Sequence, residues 1–159
     1  MSGVKTIEEM KSIRTRLRDE KKKVVFTNGC FDLIHAGHVD YLTKAKEMGD
    51  VLIVGLNSDD SVRRIKGDKR PILLEQERAF IISNIKAVDY VVLFEEDTPA
   101  KIIGTLIPDV LVKGADWPID NIVGRDVVEA AGGEVKTIKF VNNQSTSKII
   151  KSILDKYKS

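Results

Sequence analysis

The chain has 159 residues, enough for one domain with a real core. Hydrophobic residues make up 42% and charged residues 31%, an ordinary globular composition. The balance of 26 basic against 24 acidic residues, a formal net charge of +2, excludes a general nucleic-acid binder. Apolar runs stay far short of a membrane span, and the opening MSGVKTIEEMKSIRTRLRDE lacks the apolar segment of a secretory signal. Cys30 is the single cysteine, so no internal disulfide can form, and a reducing cytoplasm with no membrane partner is expected.

Ile7, Met10, Ile13 and Leu17 recur at helical spacing and predict an amphipathic helix over residues 5–20. Val24-Val25-Phe26 reads as a short buried strand. Val39, Leu42, Ala45 and Met48 form a helical stripe over 38–48, stopped by Gly49. Val51 to Leu56 is a second apolar strand. The polar stretch 57–71 reads as a loop, and its run Arg63, Arg64, Lys66, Lys69, Arg70 concentrates five cations around Gly67. Leu74, Ile81, Ile82 and Ile85 mark a helix, and Tyr90 to Phe94 a strand. Thr98 has the chemistry of an N-cap and Pro99 that of a first helical residue, for a helix ending near Leu106. Val110 to Val112 is a strand, 114–122 a loop, and Arg125 to Ala131 a helix stopped by Gly132-Gly133. Val135 to Ile138 is the fifth strand. Ser145 opens a last helix with Ile149, Ile150, Ile153, Leu154 and Tyr157 on one face.

Strands that are apolar throughout, alternating with helices, predict an α/β fold: a Rossmann-like, five-stranded parallel sheet with helices on both faces, in three layers. With no repeat and no composition shift, residues 1–159 read as a single domain, an N-terminal helix (5–20) leading into a core over 22–157. Ligands of such sheets bind beyond the carboxyl ends of the strands. The segment NGCFDLIHAGH, residues 28–38, follows the first strand and therefore lies at that edge; it contains both histidines of the chain.

The G-x-G-x-x-G and G-x-x-x-x-G-K-[ST] phosphate signatures are absent. Zinc ligation by Cys30, His35 and His38 fits poorly, because no H-E-x-x-H follows and the cysteine spacing is unusual. A third role suits the pattern better. His38 falls at the start of a helix, where backbone N–H groups and the helix dipole favour an anion. Gly37 leaves room for a phosphate to approach the backbone. The imidazoles of His35 and His38 then supply N–H donors to a phosphoryl group gaining charge in its transition state.

TNGCFDLIHAGH resembles the signature of the H-x-G-H nucleotidyltransferase superfamily, whose members share a Rossmann-like fold and move a nucleotidyl group from a nucleoside triphosphate onto a phosphate. QSTSKII, residues 144–150, is similar to that family's I-S-T-T element, with Gln144 in place of an apolar residue and Ser147 where threonine is common. Over residues 22–155 the segments KGDKRP, FEEDTP and LVKGADW resemble one branch, the heptose 1-phosphate adenylyltransferases of lipopolysaccharide-precursor synthesis. In many members this domain is fused to a sugar kinase, so a separate kinase is expected here, and the resemblance also implies a homodimer.

The resemblance implies in-line attack of a sugar 1-phosphate on the α-phosphorus of ATP, with Mg²⁺ carried by the triphosphate and no dedicated carboxylate cage. It implies His35, His38 and Lys66 as catalytic residues. Asn28, Gly29, Cys30, Phe31, Gly37, Arg78, Lys113, Gly114, Asp116, Ser145, Thr146 and Ser147 are then expected on the nucleotide, and Asp32 and Trp117 on the substrate. Two other readings share these motifs: a cytidylyltransferase acting on glycerol 3-phosphate or a related alcohol phosphate, and a non-catalytic nucleotide-binding module.

Overall fold

The computed structural model describes residues 3–141 and 143–158. Its parallel sheet has six strands: β1 (Val4–Lys5), β2 (Val24–Gly29), β3 (Val51–Asn57), β4 (Tyr90–Phe94), β5 (Val110–Gly114) and β6 (Glu134–Ile138), in the order β1-β4-β3-β2-β5-β6. The expected five strands are all present. The sixth, β1, is a two-residue edge strand paired with Val91 and Val92, too short to leave a pattern in the sequence.

Alternate strand residues point to opposite faces. Val25, Leu52, Val54, Val91 and Val110 pack under helices α2 (Ala36–Lys46) and α4 (Glu75–Ser83), through Tyr41, Leu42, Ala79 and Ile82. Val24, Phe26, Ile53, Val92 and Leu111 pack under α1 (Ile7–Asp19), α5 (Ala100–Leu106) and α6 (Arg125–Ala130), through Met10, Leu17, Ile102, Ile103 and Val128. Both faces of the sheet are therefore covered, which is why the strands read as continuous apolar runs.

Two boundaries differ from the sequence reading. The polar stretch after β3 is largely helical: α3 spans Asp59–Lys66, capped by Ser58, whose side chain accepts from the Ser61 amide. Only Val62 is a fully buried apolar residue on it, too little periodicity to reveal a helix. Pro99 rather than Thr98 precedes the first residue of α5. The last helix, α7 (Thr146–Tyr157), is capped by Ser145 as expected. No helix among the described residues is long and apolar enough to cross a membrane.

The strand order reverses between β2 and β5, because the chain winds outward from β2 through β3 to β4 and then crosses back to β5. Crevices for ligands open at such a reversal. Here β2 and β5 pair only at Val25–Val110 and Phe26–Leu111. Beyond that point the Tyr41 hydroxyl fills the gap, bonded to Thr27 Oγ1 (2.8 Å) and donating to the Val112 carbonyl (3.3 Å). Burial pushes the Tyr41 phenol up to about 12, so it remains a donor. Tyr41→Phe removes this bridge without changing the packing volume. It should lower the unfolding free energy by about 1–2 kcal/mol, the cost of leaving a buried polar group unpaired, as measured by urea denaturation; an unchanged midpoint would show that the bridge contributes nothing.

Candidate active site

The segment between β2 and α2 forms a tight turn. Phe31 sits at φ 45°, a left-handed conformation that a side chain rarely adopts, and its buried ring meets His38 edge-on at 5.5 Å. Asp32 is the turn's anchor. Its buried carboxylate accepts from Arg70 Nε (2.7 Å) and from the amides of Ile72 (2.8 Å) and Leu73 (2.9 Å). Burial pushes its pKa up, but the two amides and the Arg70 guanidinium outweigh that and hold it below the usual carboxylate range. Asp32 lines the cleft but is committed to protein partners, so its expected place on the substrate is replaced by a structural one.

Helix α2 begins at Ala36, two residues before the expected start, because His35 is its N-cap. His35 Nδ1 accepts from the Gly37 amide (3.2 Å), and His38 Nδ1 accepts from the His35 amide (3.4 Å). The two rings lie face to face but tilted by 30°, with 3.9 Å between centroids. This reciprocal cap has a chemical consequence: each Nδ1 is an acceptor, so each neutral ring carries its proton on Nε2. Burial, and secondarily the neighbouring His35, hold His38 down to about 4; burial lowers His35 as well. Both are therefore neutral Nε2–H donors at pH 7. The Gly37 amide is spent on the cap and Gly37 is buried outside the hollows described below, so the imidazoles, not that amide, are what the turn offers an anion.

A cleft of about 470 Å³ opens at the carboxyl edge of the sheet, within the size range of small-molecule sites. It gathers Asn28, Gly29, Cys30, Phe31, Lys66, Lys113, Trp117 and the α7 cap residues Ser145, Thr146 and Ser147. A smaller hollow of about 180 Å³ adjoins it, sharing Asn28, Gly29, Phe31, Lys113 and Trp117 and adding His38, Tyr41, Gly114, Asp116 and Phe140. His35 borders a shallow hollow beside Asn143 and Gln144. The Phe140 ring stacks on Tyr41 at 5.1 Å and crosses the end of β5. A Cβ at Gly114 would lie 2.6 Å from that ring and from the Asp116 carboxylate, so only glycine allows this approach. Asn28 Oδ1 is buried with no partner among the described residues.

The cationic run resolves into separate jobs. Arg63 pairs with Asp60, Arg64 with Asp97, and Arg70 with Asp32. Lys66, at the end of α3, lines the cleft. Lys113 lies 5.9 Å from the Trp117 ring centroid, a cation–π separation. Burial pulls its pKa down to about 8, with Cys30 and Asp116 opposing, so its charge is present below that pH and lost above it. Burial pushes the Cys30 thiol up, which leaves it protonated and unsuited to nucleophilic attack.

Arg78 is the main correction. Expected on the triphosphate, it is fully buried. Its Nε donates to the Leu73 carbonyl (3.0 Å), one terminal nitrogen to the carbonyls of Cys30 (2.7 Å) and Asn57 (2.8 Å), and the other to Asp59 Oδ1 (2.8 Å). It holds the turn after β2 against the end of β3 and the start of α3, and it faces neither hollow. Residues that the sequence reading left unassigned also line the cleft: Asn57, Ile65, Asp97, Thr98, Pro99 and the segment Asn121–Ile122–Val123. Two signals were available: the position of most of them beyond a parallel strand, and, for Asp97, Thr98 and Pro99, the segment FEEDTP.

Residues 26–152 match the family model described as cytidylyltransferase-like. The chain is 56% identical over 98% of its length to the bifunctional protein HldE of Citrifermentans bemidjiense, and 52% identical over 97% to that of Geobacter sulfurreducens. It spans about a third of the length of these relatives, 32% and 31% respectively. Among solved structures, it is similar to a lipopolysaccharide core biosynthesis protein from Thermoplasma volcanium, with 31% identity and a TM-score of 0.62 over 77% of this chain and 99% of that one. A pantoate-beta-alanine ligase from Francisella tularensis shares the fold at 15% identity, with a TM-score of 0.62 over 92% of this chain and 69% of that one.

Arg78→Lys keeps the charge but offers too few donors in the wrong geometry for four acceptors. It should destabilise the fold by about 3 kcal/mol, the scale for breaking a buried ion pair, as read by chemical denaturation. A variant as stable as the wild type would remove Arg78 from its structural role.

Proposed function

The chain belongs to the cytidylyltransferase-like family, and from that premise we propose that it transfers the adenylyl group of ATP to a heptose 1-phosphate, giving ADP-heptose and pyrophosphate. The observation that carries the chemistry is the pair of neutral imidazoles locked through Nδ1 into the cap of α2, with His38 on the smaller hollow beside Lys113 and Lys66 on the adjoining cleft. The sugar assignment is supported by the segments KGDKRP, FEEDTP and LVKGADW and by the similarity to the lipopolysaccharide core biosynthesis protein.

In the reaction, an anionic phosphate oxygen of the sugar forms a bond to the α-phosphorus. The bond from that phosphorus to the oxygen bridging to the β-phosphorus breaks, and pyrophosphate leaves with the electron pair. The nucleophile is already charged at neutral pH, so no general base is required, and catalysis reduces to alignment and charge neutralisation. His35 and His38 donate from Nε2 to phosphoryl oxygens. Lys66 and Lys113 neutralise charge, and the Ser145–Ser147 hydroxyls at the start of α7 add donors where a helix terminus favours an anion. Mg²⁺ enters on the triphosphate as part of the nucleotide substrate, since the nearest carboxylate of the turn, Asp32, is occupied by Arg70 and two amides. The base lies in the smaller hollow, where the Phe140, Tyr41 and Trp117 rings and the end of β5 offer stacking surface and hydrogen-bonding edges. The reading also requires a kinase to supply the sugar 1-phosphate.

A pyrophosphate-release screen of nucleoside triphosphates against sugar 1-phosphates tests the proposal. ATP with heptose 1-phosphate should turn over, with ATP preferred to CTP by at least ~10²-fold in kcat/KM, because a site that pairs one base leaves polar groups unpaired against the other. His38→Ala should lower turnover by at least ~10²-fold, the scale for one preorganised transition-state donor, while nucleotide binding weakens far less. Turnover of CTP with glycerol 3-phosphate, and none of ATP with heptose 1-phosphate, would overturn the assignment in favour of a cytidylyltransferase.

A further inference from the structure

The two hollows meet at Asn28–Gly29, Phe31, Lys113 and Trp117, and beyond that wall their chemistry diverges. The smaller one is aromatic, with Phe140, Tyr41 and Trp117 around His38. The outer end of the larger one is not. There Asp97 and Thr98, which follow β4, share the cleft with Asn121 of the 3₁₀ turn after β5, over an apolar floor of Pro99 and the buried Ile122. A carboxylate, a hydroxyl and a carboxamide set on a small apolar floor suit a polyhydroxylated ring, whose hydroxyls both donate and accept and whose C–H faces are apolar. They do not suit a base, which needs the flat surfaces found on the other side.

Resting on the adenylyl-transfer reading above, we propose that this outer end is the acceptor-sugar subsite, with Thr98 and Asn121 hydrogen-bonding hydroxyls of the sugar. In-line displacement requires the attacking oxygen to approach the α-phosphorus from the side opposite the leaving pyrophosphate, so the acceptor needs a subsite of its own. The buried, unpartnered Asn28 Oδ1 in the shared wall is an acceptor. Phosphate oxygens cannot satisfy it; a hydroxyl of a sugar or ribose can. Arg64 holds the Asp97 carboxylate through an ion pair (2.6 Å) and so fixes one boundary of the subsite.

The test is calorimetric binding of heptose 1-phosphate and, separately, of α,β-methylene-ATP to the wild type and to the double variant Thr98→Val/Asn121→Ala. Both residues are exposed, so the variant should fold with an unchanged melting temperature. Sugar-phosphate affinity should fall about tenfold or more, the loss expected for two neutral hydrogen bonds, while α,β-methylene-ATP binds as before. Equal sugar-phosphate affinity in the two proteins, no sugar-phosphate binding to a wild type that binds the nucleotide analogue, or a loss confined to the nucleotide analogue would each overturn the subsite. Failure of the parent reading looks different: the wild type then releases pyrophosphate with another acceptor, and that acceptor's affinity in the double variant decides the subsite.

Discussion

Everything at the ligand edge depends on one buried cation. Arg78 lies in the core, where an unpaired guanidinium would be prohibitively costly, and its four hydrogen bonds define which segments must come together: the turn after β2, the end of β3, the start of α3 and the residues before α4. The backbone amide of Asp59, its charged partner, donates to Glu75 Oε2 at the head of α4, so α3 and α4 are cross-tied. Asp32 does the same from the other side, gripping Arg70 and the amides of Ile72 and Leu73. The two networks clamp the segment between α3 and α4 onto the His-containing turn. Lys66, at the end of α3, thereby acquires a fixed position beside a cleft that its own short helix could not define.

The electrostatic design follows from burial. Charged imidazoles in the turn would repel each other and lose the Nδ1 acceptors that cap α2. Held neutral, they act as dipoles oriented by the cap, and positive charge comes from lysines, which are compact and less sensitive to geometry. Donors that are already aligned need no reorganisation when charge builds on a phosphoryl group, which is the main source of rate in such sites. A protonated Cys30 and an Asp32 bound by three donors leave no competing nucleophile or base in the turn.

The fold was largely legible because burial on both sheet faces writes strands as apolar runs and amphipathic helices between them. β1 escaped because two residues carry no period, and α3 because a helix with a single fully buried apolar residue reads as a polar loop. Much of the site was legible through local chemistry: a glycine between two histidines beyond a strand, and a hydroxyl cluster heading the last helix. The surroundings of Arg78 and Asp32 were not legible for one reason: local sequence shows that a residue is charged but not what surrounds it, and three of the four acceptors of Arg78 and all the donors to Asp32 lie 19 to 48 residues away. Thr98 and Asn121 were missed because the cleft they share is closed only by tertiary packing.

The central claim is that two neutral imidazoles, each with its proton on Nε2, form the phosphoryl-binding turn. Nitrogen-15 NMR of the histidine rings between pH 8 and pH 4, with and without α,β-methylene-ATP, measures this directly. Both rings should be Nε2–H tautomers at pH 7, their Nε2 signals should shift when the nucleotide analogue binds, and His38 should take up a proton only near pH 4. A proton on Nδ1 of either ring, or a His38 titrating at or above its ordinary value, would contradict the account.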